Sequence, residues 1–168
     1  MLLANGADIN TVNEAKHTVL HCAAQEGHCD VIEELLRSKA NIQAKEFNGD
    51  IPLHDAAFRG HKDAVKMLLD NGADGSSVNK NKQTALHFAA QEGQCSVIKE
   101  LLNSKANINA ETIRGNTSLH IAALKGQSDA VKILVDNGAD VNIVNKKNYT
   151  ALHCAAQEGH CGYWRASQ

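Results

Sequence analysis

The chain has 168 residues, 43% hydrophobic and only 4% aromatic, with a formal charge of −2. That length is near one domain, and the hydrophobic share excludes a disordered polar chain, while the scarcity of aromatics points to close-packed Ala- and Leu-rich helices rather than a thick core. No Lys/Arg block offers the basic stripe that nucleic-acid binding needs, and no apolar run approaches the ~18–20 residues that cross a bilayer.

In chain order, Met1-Leu2-Leu3 reads as the end of a helix, because the same pattern returns at Met67-Leu68-Leu69. Asn5, Gly6 and Asp8 end that run at once, so residues 1–12 are expected to be a partial unit and not a secretory leader. A first complete unit follows over 13–45. Thr18 stands two residues before Leu20, where a helix N-cap belongs. Gly27 is placed to end that helix in a left-handed conformation. Val31-Ile32 and Leu35-Leu36 then mark the apolar face of a second helix.

The same order recurs. Leu-His pairs stand at 20–21, 53–54, 86–87, 119–120 and 152–153, a constant step of 33 residues. Ala-Ala follows each pair, and Gly27, Gly60, Gly93, Gly126 and Gly159 keep the same register. The further units span 46–78, 79–111 and 112–144, and 145–168 starts another that turns atypical after Cys161. Thr84, Thr117 and Thr150 repeat the Thr18 cap, while the unit at 46–78 places Pro52 at the first helical position. A two-unit period lies on top: LHCAAQEGHC occupies both 20–29 and 152–161. Neither end carries a polar capping unit, so the chain is expected to be a piece of a longer array or a product started at an internal Met.

Ile51-Pro52-Leu53-His54-Asp55-Ala56-Ala57, with TVLHCAA, TALHFAA, TSLHIAA and TALHCAA in the other units, resembles the ankyrin repeat motif. The resemblance covers the chain from Met1 to about Cys161. It implies an all-α solenoid, one domain over 1–168, of stacked helix-turn-helix units joined by β-hairpin-like loops. It also implies a scaffold that binds a protein partner through its concave face, without catalysis and without a cofactor. The alternative is the recognition segment of a larger enzyme, channel or secreted effector. A monomer is expected, with end-to-end association open to uncapped ends. The odd number of cysteines, set inside predicted helices, suits a reducing, cytoplasmic compartment.

His21-Cys22 and His28-Cys29, with their copies at 153–154 and 160–161, invite a zinc reading. Seven helical residues span ~10 Å, whereas all ligands of one zinc lie ~2.0–2.3 Å from it, so no metal site is expected. The Leu-His histidines are read as structural ties between hairpin and helix. Lys39 and Lys105 replace Gly72 and Gly138 after the second helices, and Lys16, Lys82 and Asn148 replace Gly49 and Gly115 in the hairpins. Either these lysines are displayed toward a partner, or they are tolerated in a strained conformation; the second is the simpler reading.

By resemblance, the binding face consists of hairpin tips and the positions after each Ala-Ala. The candidate contacts are Phe47, Asp50, Lys80, Ile113, Arg114 and Tyr149 on the tips, and Phe58, Arg59, Gln91, Glu92, Leu124, Lys125, Gln157 and Glu158 on the helices. Phe58 and Leu124 are expected to be exposed anchors. Asp55 replaces Cys22, Phe88, Ile121 and Cys154 of the other units, and is either a partner contact or a solvated position. The family's loops can also undergo asparagine hydroxylation, which by resemblance would fall on Asn10, Asn109 and Asn142.

Overall fold

The computed structural model describes residues 5–160. The partial unit's first four residues and the atypical segment 161–168 lie outside the described residues, and so do the readings made for them.

Nine helices occur among the described residues. The first helices of the units are α1 (Val19–Glu26), α3 (Pro52–Arg59), α5 (Ala85–Gln91), α7 (Ser118–Leu124) and α9 (Ala151–Gln157). The second helices are α2 (Cys29–Arg37), α4 (Lys62–Asp70), α6 (Cys95–Asn103) and α8 (Ser128–Asp136). Each first helix packs on the first helix of the next unit, and each second helix on the next second helix. Two parallel layers result, each helix touching only neighbours, as a solenoid requires.

The core is the seam between the layers. Leu20, Leu53, Leu86 and Leu119 enter it from the first helices, and Ile32, Leu68, Leu101 and Leu134 from the second. The paired alanines are buried in every complete unit, Ala56-Ala57 and Ala89-Ala90 fully so. Their small side chains let consecutive first helices approach closely, which is why so few aromatic residues suffice.

Glycine at the first helix ends is required for two reasons. Gly27, Gly60, Gly93, Gly126 and Gly159 all have positive φ, between 67° and 81°. A methyl group on Gly27 would also stand 2.6 Å from the His61 ring of the next unit, and Gln94, Gln127 and His160 crowd Gly60, Gly93 and Gly126 in the same way. Those four crowding side chains reach back across the interface. His61 Nε2 donates to the Gln25 carbonyl (3.0 Å), Gln94 and Gln127 donate to Phe58 (3.4 Å) and Gln91 (3.1 Å), and His160 to Leu124 (3.2 Å).

The Leu-His histidines form a second, forward-reaching set. In His21, Nδ1 accepts the Thr18 N–H (3.2 Å) while Nε2 faces the Asp50 carbonyl of the next unit at 3.3 Å. A backbone N–H can only donate, so Nδ1 is bare and the proton sits on Nε2. His87 and His120 repeat this, with Nε2 donating to Asn116 (3.2 Å) and Tyr149 (2.9 Å) of the next unit, whereas His54 Nε2 donates to Ser77 (3.1 Å) of its own unit. The expected tie between hairpin and helix is therefore present, and at His21, His87 and His120 it extends to the following unit.

The loops are hairpin-like without forming strands among the described residues, apart from one isolated bridge between Val12 and Thr18. Each tip is linked to the one before it by a single backbone bond: Phe47 N–H to Ala15, Lys80 to Asn48, Ile113 to Asn81 and Lys146 to Arg114.

Lys39 and Lys105 adopt the left-handed conformation, with φ of 64° and 63°, and so do Lys16, Lys82 and Asn148. A side chain there is strained by roughly 1 kcal/mol. Lys39→Gly and Lys105→Gly are expected to raise the denaturant midpoint, each by at most about 0.6 kcal/mol of stability once the ~0.4–1 kcal/mol entropy of the freer unfolded chain is deducted. Lower midpoints for both variants would show that these lysines contribute more through contacts than they lose in backbone strain.

Candidate functional site

The hairpin tips and the first-helix layer together bound a long groove. One part of it lies between the tips at 113–116 and 145–149 and helices α7 and α9, where it encloses about 460 Å³. A second recess of about 250 Å³ lies between the tips at 81–83 and 112–116, and the two share Ile113, Arg114 and Asn116. The solenoid forces this arrangement: every unit sends its tip to the same side of the first helices, so tip and helix positions line up in columns.

The structure distributes the sequence-derived candidates unevenly along these columns. Phe47 is 62% exposed, Ile113 50% and Tyr149 38%, so three tips present large apolar groups to solvent. Lys80 extends its ammonium over the Phe47 ring, 4.8 Å from the centroid, which is cation–π geometry. Tyr149 stacks on His153 at 5.7 Å. Arg114, Lys125, Glu92, Gln157 and Glu158 are exposed, and Gln91 is half-buried, donating to Glu92 at 2.9 Å.

Two expectations are corrected. Phe58 and Leu124 are half-buried rather than exposed. Phe58 packs edge-on against Phe88 of the next unit, with centroids 6.1 Å apart, and Arg59 covers it from 5.8 Å. Adjacent units differ here: a large side chain late in α3 meets a large side chain early in α5. The repeat pattern placed Phe58 on the groove side, but only the stacking distance decides that Phe88 leans onto it.

Asp55 is half-buried. Its Oδ2 is buried and makes no hydrogen bond. Burial, with the nearby charges of Asp50 and Glu46, pushes its carboxyl up to about 7. Asp50 accepts from Asn79 Nδ2 at 2.8 Å, and burial raises its carboxyl as well. The three carboxylates of Glu46, Asp50 and Asp55 thus crowd the groove's N-terminal half.

The ring nitrogens of His21 are both engaged, Nδ1 as acceptor and Nε2 as donor, which leaves no lone pair for a metal. Asn10 and Asn109 use their side-chain oxygens to accept backbone N–H groups of the following loop, from Asn41 (3.0 Å) and Asp140 (3.1 Å). Asn142 receives no such bond among the described residues; its own N–H donates to Asp140 Oδ1 at 2.8 Å. A modifying enzyme acting on Asn10 or Asn109 would have to detach the loop first.

Sequence reasoning missed the backward-reaching column of His61, Gln94, Gln127 and His160. The signal was present, since each follows the helix-ending glycine directly and can donate a hydrogen bond.

Asp55→Asn is expected to raise stability by about 1–3 kcal/mol at pH 8, because it removes a charge whose burial costs more than that of a neutral amide. The gain should shrink as pH falls from about 7 and be lost below 3.8, where Asp55 is protonated in folded and unfolded chains alike; a gain independent of pH would remove the carboxylate as its cause. Acid should act oppositely through histidine. Burial lowers His54 and His87 to about 4 from 6.5, so between those values the unfolded chain holds more protons. In the Asp55→Asn background the denaturant midpoint is expected to fall as pH drops from 6.5 to 4, and a flat profile would mean that these imidazoles stay accessible to protons.

A family model described as ankyrin repeats (3 copies) matches residues 1–79, 35–112 and 86–164. No curated protein matches the sequence. The matched segments overlap along nearly the whole length, and the two helical layers and projecting hairpins are what that motif builds, so the chain belongs to the ankyrin repeat family.

Proposed function

We propose that this chain is a non-catalytic scaffold that binds a protein partner through the groove between its hairpin tips and first helices. Ankyrin repeats are in general protein–protein interaction modules. The observation that carries the finer reading is the line of exposed apolar side chains at the tips, Phe47, Ile113 and Tyr149. Tips are held in register by one backbone bond each and need no such groups for their own folding. Large apolar groups presented on rigid supports are what binding anchors require. The chemistry of the groove supports a binding role over an enzymatic one: its histidines are committed to backbone hydrogen bonds, so they are poor general bases. Cytoplasmic location is part of the same proposal. It is supported by free thiols at Cys22, Cys29, Cys95 and Cys154.

The test uses a partner captured with the intact chain and then purified. Phe47→Ala with Ile113→Ala is expected to weaken binding by about 2 kcal/mol or more, with stability moved by less than about 0.5 kcal/mol per site. Lys66→Ala with Lys99→Ala, on the second-helix layer, should leave affinity unchanged. Phe58→Ala is expected to cost stability through its contact with Phe88, so its effect on binding is not the criterion. If the second-helix pair abolishes binding and the tip pair does not, the partner occupies the other face and the reading fails.

A further inference from the structure

The groove reading leaves open what kind of segment it accepts, and the charge distribution along the stack bears on that directly. In the N-terminal half, Glu14, Glu26, Glu46, Asp50 and Asp55 occupy the tips and the groove side of the first helices. In the C-terminal half the sign reverses. The larger recess is walled by Arg114, Lys146 and Lys147, with Lys125 beside Leu124, and Glu158 is the carboxylate in its lining. The ion pairs found among the described residues involve none of these four bases. This local excess of positive charge stands out in a chain whose formal charge is −2.

Beside those bases and the polar Asn116, His120, Asn145 and Gln157, the recess has an apolar part of its lining. Cys154 is buried, Leu124 is half-buried, and Ile113 and Tyr149 keep half to a third of their surfaces in solvent, at 50% and 38%. An apolar patch beside unpaired cations is complementary to an apolar side chain flanked by carboxylates. A basic segment would meet the bases without compensation. A nucleic acid would satisfy the bases, but its phosphates would run on toward the carboxylates of the N-terminal half.

Resting on the groove reading, we propose that the recess between the hairpins at 113–116 and 145–149 takes an acidic protein segment. The segment sets one apolar side chain against Ile113, Leu124 and Tyr149, and its carboxylates pair with Arg114, Lys146 and Lys147. Arg114 is the bidentate partner among the three, since its planar guanidinium matches a carboxylate.

The experiment selects binders for the full chain from a library of random short peptides, then measures the enriched peptides by fluorescence anisotropy. The expected winners carry net negative charge around an aromatic or aliphatic residue, and their affinity falls as salt is raised. Arg114→Glu with Lys147→Glu should weaken them by at least about tenfold. Both residues are exposed, so the unfolding midpoint should stay near that of the parent; Arg114→Gln with Lys147→Gln gives a milder version should the reversal disturb folding. Lys66→Ala with Lys99→Ala, on the second-helix layer, should leave the affinity unchanged. Neutral or basic winners, no enrichment, or equal competition by a random-sequence oligonucleotide would overturn the proposal. Hydrogen exchange with the bound peptide separates the two levels. Protection at residues 46–60 alone sinks the acidic-segment proposal and leaves the groove reading standing, whereas protection of α2, α4, α6 and α8 alone sinks both.

Discussion

A neutral imidazole, buried where one unit meets the next, is the interaction on which the stack depends. Its Nδ1 takes the N–H of the residue that starts its own helix, and its Nε2 gives a proton to a carbonyl of the following unit. Both groups it satisfies would otherwise be orphans, one at a helix N-terminus and one in a loop without strand pairing. Burial keeps the ring neutral, and neutrality is what lets one nitrogen accept while the other donates. The threonine hydroxyl beside Nδ1, at 2.8 Å in three complete units, fixes the ring's tilt. Where the cap is Ile51 instead, Pro52 starts the helix and His54 still accepts the Ile51 N–H at 3.0 Å.

Among the described residues, three of the four interfaces are fastened twice, and the one between units 46–78 and 79–111 lacks the forward histidine bond. The histidine column reaches forward from the start of the first helices, and the His61, Gln94, Gln127 and His160 column reaches back from the start of the second. The two columns lie on opposite ends of the first helices, so neighbouring units are held against rotation as well as separation. The glycines that end the first helices are what permit the backward column, since any side chain there would collide with it. At the tips one backbone bond per interface, with side-chain bonds from Asn79 to Asp50 and from Asn145 to Asn116, keeps the loops in line and leaves side chains such as Phe47 and Ile113 available for binding.

The two-unit period gives that available surface its unevenness. Alternate units differ at the positions after Ala-Ala, and repeat 46–78 also carries Asp55, whose buried oxygen is unsatisfied. A residue that weakens its own unit in this way sits on the same face as the exposed Phe47 and the cation above it. The left-handed lysines are a different kind of departure. They lie at turns whose backbone is dictated by the fold, and the fold tolerates the strain because the surrounding hydrogen bonds, such as Ala40 N–H to Leu35, over-determine the turn.

The repeat length, the helix starts at threonine or proline, the helix ends at glycine and the alternation of apolar faces were all legible in the residues alone. Each is a local requirement: a cap must accept an N–H, a left-handed residue must avoid a Cβ, and a helix must show one face to the core. Local requirements repeat when the chain does, so their period could be read without a structure. What only the tertiary structure decided are relations between units. That Phe88 leans onto Phe58, that Asp55 Oδ2 loses its solvent, and that His61 and Gln94 reach backward follow from the distance and rotation between stacked units, which no single 33-residue block specifies. The groove's charge reversal belongs to both levels: the residues were visible in order, but their convergence around one recess depends on the stacking that brings tips 33 residues apart side by side.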